Sequence, residues 1–159
     1  LGTIDFKVYG GIINGILPFA FLQNHLGNDI YYYNNNSLNL MKRFEYLSDK
    51  YAGINFEHKL GSGIFRFFSL TRKLKWRQFW NVKSLWGSLS DENNQFNGNG
   101  NYFKTLNNKN YTEIGTGIDN IFKVFRIDAV WNINPEIKNS PMVPSSSKFG
   151  VFGSFKFQF

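Results

Sequence analysis

Only His25 and His58 supply imidazole in this chain of 159 residues, and there is no cysteine. A hydrolase built on Ser, His and an acid would have to recruit one of the two. His58 is the better placed, because it stands between Glu57 and Lys59 yet shares the parity of its apolar neighbours. That is where a lipase embedded in a bilayer would carry its histidine; the plainer reading is a histidine packed at an interface or against a neighbouring strand. Metal binding has less support, since the histidines lie far apart with no carboxylate at ligand spacing. The glycines of "GTGID", Gly115 to Asp119, lack the third glycine and the helix that a phosphate cradle needs. They suit close packing or bending of a strand instead. Tyr31, Tyr32 and Tyr33 could stack sugars or bases, but an interfacial aromatic girdle accounts for them more simply. No cofactor is expected.

The net charge of +7 raises nucleic acid as a partner. Its densest cluster is Arg72, Lys73, Lys75 and Arg77, while the remaining cations are scattered singly along strand-like segments rather than gathered on one face. A loop facing water or anionic headgroups is the simpler account, and nucleic acid is not expected as a partner. The lack of cysteine removes disulfides and thiolate metal sites and is neutral about redox compartment.

The elements that must position these residues follow period two almost throughout. Ile4, Phe6, Val8 and Ile12 oppose Asp5 and Lys7; Ala52, Ile54, Phe56, Leu60 and Ile64 oppose Asn55, Glu57 and Lys59. Ile114 and Ile118 oppose Glu113 and glycines, and Ile127, Ala129, Trp131 and Ile133 oppose Arg126, Asp128 and Asn132. The final segment sets Phe149, Val151, Gly153, Phe155, Phe157 and Phe159 against Lys148, Gly150, Ser154, Lys156 and Gln158, with Phe152 alone out of step. Arg77 to Ser90, with Trp80, Val82 and Trp86 on one parity, and Ser37 to Ser48 fit with more exceptions. The pattern predicts about seven strands in one domain spanning the chain. Asn93 to Asn110 and Asn134 to Ser147 read as long solvated loops and Ser48 to Lys50 as a tight turn, while Asn14 to Asn36 has no clear pattern.

Aromatics make up 19% of the chain, so they need an apolar setting. A soluble sandwich buries its apolar face in a core of mainly Val, Ile and Leu. Here Trp80, Trp86 and Trp131 sit on the apolar parity near strand ends, while Lys59, Arg126, Asp128 and Lys156 share the polar parity. An outer-membrane barrel has this arrangement, with its apolar face on lipid, interfacial aromatics at the borders and charges in the lumen. The fold class expected is therefore all-β, an antiparallel transmembrane β-barrel of the outer-membrane type. No stretch is long and apolar enough for a helical span. About seven strands do not close such a barrel, which needs an even number from eight upward. The opening on Leu1 agrees with the C-terminal portion of a larger barrel whose N-terminal part is missing.

The segments "SLNLMKRFEYLSDKYAGINFEHKL", "SLTRKLKWRQ" and "YTEIGTGIDNIFKVFRIDAVW" resemble the C-terminal barrel of a Bacteroidota outer-membrane family of unknown function, usually found behind a carboxypeptidase-regulatory-like β-sandwich. The hairpin "GTGIDNIFKVFRIDAVW" and the closing "FGVFGSFKFQF" are also similar to the end of Omp85-type barrels, which include outer-membrane assembly and secretion proteins. The resemblance implies a barrel of about sixteen strands. It places Ser48 to Lys50 and the two long loops outside the cell, and "SLTRKLKW" and "DNIFKVF" on the periplasmic side. It further implies that Phe149, Val151, Phe155, Phe157 and Phe159 form a sorting strand, read by the barrel-assembly machinery through strand addition. The periplasmic domains and the inward arginine loop of Omp85 proteins have no counterpart here. The expectation is a non-enzymatic barrel of the bacterial outer membrane, engaged in envelope biogenesis or in protein or lipid transport. The alternative is a structural or accessory subunit of a larger outer-membrane complex, with lipid and other outer-membrane or periplasmic subunits as partners. A lipid-modifying enzyme built around His58 stands behind both.

Overall fold

The computed structural model describes residues 2–98, 102–134 and 146–155. Six long strands form one antiparallel sheet: β1 (Thr3–Ile12), β4 (Lys50–Gly61), β5 (Arg77–Ser88), β6 (Asn110–Ile121), β7 (Phe125–Asn132) and β8 (Phe149–Phe155), adjacent in that order. Two short strands, β2 (Gln23–Asn24) and β3 (Leu47–Ser48), pair with each other outside it. The fold is thus mostly antiparallel β with few helices, as the period-two pattern predicts. Among the described residues the sheet is open, because β1 pairs only with β4 and β8 pairs with β7.

Six of the expected strands are present, but Ser37 to Ser48 is not a strand except at Leu47–Ser48. Its alternation reflects a different burial. Leu38, Leu40, Met41, Tyr46 and Leu47 are all enclosed, in company with Asn39 and Glu45. The supposed tight turn Ser48 to Lys50 is a corner between β3 and β4, where Asp49 donates its amide to Ser88 O and accepts from Ile13. Residues 13–46 therefore form a long strap between sheet neighbours β1 and β4, with one 3-10 turn at Phe19–Phe21.

The strap crosses one face of the sheet from the β1 side to the β8 side. Tyr33 donates its amide to Gly153 O and Gly153 donates its own to Tyr31 O, so the strap pairs with the outer edge of β8. Beneath it the core falls into separate clusters: Leu38, Met41, Tyr46, Leu85, Leu106 and Tyr111 in one, Tyr33, Leu40, Val130 and Phe152 in another. Phe152, the residue out of step in β8, points inward to meet the strap.

Register fixes two unlike faces. Phe6, Phe56, Val82, Ile114, Trp131 and Phe149 form one row across the outer face, and Lys7, Asn55, Lys83, Glu113 and Asn132 form a row across the inner, strap-covered face. Over β5 to β7 the inner face is closed to solvent while the outer one is not, and on β1 both faces are exposed: Arg126, Asp128 and Glu113 are no more than 1% exposed, against 64% for Phe6 and 50% for Phe149. An ordinary soluble sheet has the opposite polarity.

Connectors sort to the two ends. The strap joins β1 to β4 at one end, where β5 ends and β6 begins and where β7 ends and β8 begins, while residues 62–76 and 122–124 join strands at the other. At Gly117 a side chain would strike Ile127 O and the Phe79 ring. Gly117→Val should therefore displace that ring and destabilise the sheet by about 1–3 kcal/mol, the usual cost of overpacking. A urea unfolding midpoint unchanged from the parent protein would contradict this.

Candidate functional site

The inner face carries the unusual chemistry. Arg126 on β7 is fully buried, and its guanidinium serves two carboxylates at once. Nε and Nη2 donate to Asp128 at 2.8 and 2.6 Å, while Nη1 and Nη2 donate to Glu57 at 3.0 and 2.6 Å. Glu57 lies on β4, with β5 and β6 intervening between it and β7. The long arginine bridges that gap by lying 3.6 Å above the Phe79 ring centroid on β5, with Tyr33 of the strap 4.8 Å away. Gly117 leaves the room that the Phe79 ring occupies and Gly115 the room for the Asn81 side chain, which is the local reason for the glycines of "GTGID". Lys59 extends the network, pairing with both Asp5 and Glu57. Bidentate arginine pairs of this kind are the geometry that best offsets the cost of enclosing charge.

A second pair clamps the strap. Lys83 and Glu113 are direct cross-strand partners on β5 and β6. Lys83 donates to the carbonyls of Asn34 and Ser37, both at 2.8 Å, and lies 4.6 Å above the Tyr33 ring. Glu113 accepts the amides of Asn39 and Leu40, both at 2.7 Å. The strap has no ladder for residues 34–40, so these charges supply the partners its buried backbone requires. Asn39 adds a side-chain web, accepting from Asn28 and Asn34 and donating to Asn34 O. At the loop end Glu45 accepts from Lys104 at 3.1 Å and from the amide of Ser146 at 3.0 Å, joining the strap to both neighbouring loops.

Between the strap and β1, β4 and β5 lies a cavity of about 290 Å³, lined among others by Lys7, Glu57, Lys59, Asn81 and Lys83. Asn81 is 2% exposed, and its Nδ2 has no hydrogen-bond partner. The cavity has a mixed lining, with Phe6, Tyr33 and Phe56 beside the polar groups, and is large enough for several waters.

The sequence-predicted residues divide cleanly. Lys59, Arg126 and Asp128 meet in the inner network through Glu57, whereas Lys156 lies outside the described residues. Trp80, Trp86 and Trp131 all occupy the outer face; Trp86 Nε1 donates to Asn108 O at 3.1 Å, and Trp131 packs on Phe149. Phe149, Val151 and Phe155 line the outer side of β8, about half exposed. Phe157 and Phe159 lie outside the described residues. The tyrosine run is not a girdle as a unit: Tyr31 is exposed, but Tyr33 is buried between the cations. Lys83, the Tyr33 contact and the Glu45–Lys104 pair are additions from the structure. Lys83 could have been found from its parity opposite Trp80, Val82 and Trp86, whereas the other two join segments with no common pattern.

Neither histidine assembles a triad among the described residues. His58 faces outward, edge-on to Trp80 at 5.9 Å. His25 Nε2 is 2.9 Å from Ser48 Oγ, but Ser48 is fully buried, so no substrate reaches that oxygen. No group of three His, Asp or Glu suited to a metal occurs among the described residues, and no helix is long and apolar enough to cross a membrane. Comparison with models of known protein families, with characterised proteins and with solved structures finds no match.

Two expectations follow for the strap. Removing the acceptor in Glu113→Ala should cost about 2–3 kcal/mol locally and speed amide exchange at Asn39 and Leu40 on the order of a hundredfold. Exchange at the parent rate would show that the carboxylate does not hold the strap. The second concerns pH. Burial lowers the His25 pKa from 6.5 to about 4, so the released strap takes up a proton at a higher pH than the docked one. Docking is then at full strength above pH 6.5, weakens as pH falls and has lost this contribution below about pH 4. Protection of the His25 and Asn28 amides, corrected for intrinsic exchange, should fall about twentyfold between pH 7 and 5. It should stay level in His25→Gln.

Proposed function

We propose that this chain forms part of the wall of a non-enzymatic outer-membrane β-barrel, with its inner face toward the lumen and its outer face on lipid. The observation that carries the reading is the inverted polarity of the sheet. Fully buried Arg126, Asp128 and Glu113 oppose an outer face whose Ile4, Phe6, Val8, Trp131, Phe149 and Val151 are 41–64% exposed. Water penalises such a belt, whereas a bilayer requires it. The open edge of β1, and that of β8 beyond the strap's pairing at Gly153, would be satisfied by further strands of the same barrel, as the resemblance to a larger barrel implies. In this reading β8 closes the wall and presents Phe149, Val151 and Phe155 for recognition during assembly.

By analogy with Omp85-type barrels the process served is envelope biogenesis or the transport of protein or lipid. The strap favours a second reading, an accessory subunit with a plugged lumen. Lys83 and Glu113 bind its backbone, and Glu45 knits it to the neighbouring loops. Transport through this lumen would first have to release those contacts.

The test of the wall is Ile114→Lys, in mid-strand on the outer face. On a water-facing surface the change costs within about 0.5 kcal/mol; on lipid it should cost about 2–4 kcal/mol. A neutral result in lipid vesicles would sink the barrel reading. Conductance of the reconstituted protein then separates the two functions. A closed parent that opens in Glu113→Ala supports the plugged barrel, and a parent already conducting argues against it.

A further inference from the structure

The end of the sheet opposite the strap carries a feature that a plain barrel turn does not need. Between β4 and β5 the chain makes a 3-10 turn, Gly63–Phe67, and then a short helix, α1 (Ser69–Lys73). The segment is built, not trailing. Thr71 Oγ1 donates to Phe65 O at 2.9 Å, Phe65 packs edge-on against Trp76, and Asn120 Nδ2 donates to Lys75 O at 2.8 Å from the end of the neighbouring β6. Yet it sends three other large apolar side chains into open space. Phe67 is 74% exposed, Phe68 62% and Leu70 70%, and Phe122 of the adjacent turn is 80% exposed.

Cations are interleaved with these groups. Residues 62–77, "SGIFRFFSLTRKLKWR", contain Arg66, Arg72, Lys73, Lys75 and Arg77 and no acidic residue, and Lys123 follows Phe122. Arg66 already lies over the Phe67 ring, 4.8 Å from its centroid. Nucleic acid would neutralise the cations but leave the Phe and Leu side chains in water. A lipid interface satisfies both, since the apolar bodies enter the acyl boundary while the cations remain at headgroup phosphates. The foot also continues the apolar outer face, where Leu60 on β4 and Phe155 on β8 are exposed at the same end of the sheet.

We propose that residues 63–77, with Phe122 and Lys123, form a foot that docks on an anionic leaflet and binds the phosphates of lipid headgroups. The proposal deepens the barrel reading by naming the lipid class at one rim, but it also stands for a protein bound only at the membrane surface.

The full-length protein in dodecyl maltoside, titrated with phosphatidylglycerol and separately with phosphatidylcholine, provides the test through its unfolding temperature. Phosphatidylglycerol should raise Tm and phosphatidylcholine should not. In Arg72→Gln/Lys73→Gln/Lys75→Gln, where all three side chains are exposed, the half-saturating lipid concentration should rise on the order of a hundredfold, about fivefold per cation. Arg43→Gln/Lys109→Gln, at the opposite end, should respond like the parent. An equal rise with phosphatidylcholine, an undiminished response in the triple variant, or the same rise with inorganic phosphate would each overturn the proposal. Carbonate washing of native membranes reads the barrel separately. Protein that washes off yet keeps its cation-dependent response to phosphatidylglycerol removes the barrel and leaves the foot. Protein that stays embedded without that response does the reverse.

Discussion

Arg126 is enclosed completely, and its guanidinium holds carboxylates from β4 and β7 together across the two strands between them. Arg126 or Asp128 alone would be costly at a site closed to water, so the two are mutually required, with Glu57 joining them from the edge of the cavity. Phe79 supports the guanidinium from below, Gly117 makes room for Phe79, and Tyr33 covers it from the strap. One ion cluster thus specifies the contents of three strands and the path of the segment above them.

The strap follows from the same need. A run without regular hydrogen bonding can lie against a sheet only if its carbonyls and amides find partners, and the inner face provides both signs of charge for that purpose. Lys83 takes carbonyls and Glu113 takes amides, although the two stand opposite each other and could have paired directly. A few charge-assisted bonds hold a long segment in this way, so the docked state can be biased by changes at few positions.

The outer face is governed by the opposite constraint. Its rows of Phe, Ile, Val and Trp have no cover among the described residues. At the strap end the loops are tied to one another through Glu45, while at the other end the exposed Phe side chains of the foot alternate with cations. The two ends therefore present different chemistry to their surroundings.

Period two by itself determined the six long strands and assigned their faces, because successive strand side chains alternate sides whatever the remainder of the chain does. Parity placed Lys59, Arg126 and Asp128 on the inner face and Trp80, Trp86 and Trp131 on the outer. The same rule misread Ser37 to Ser48, where enclosure on every side mimics alternation, and made Tyr33 look like its exposed neighbour Tyr31. Only the tertiary structure decided that Arg126 reaches Glu57, that Glu113 binds the strap and not Lys83, and that the β1–β4 connection runs inward. Those outcomes depend on distances between segments remote in sequence, set by register and by the space at Gly117. No local pattern records them.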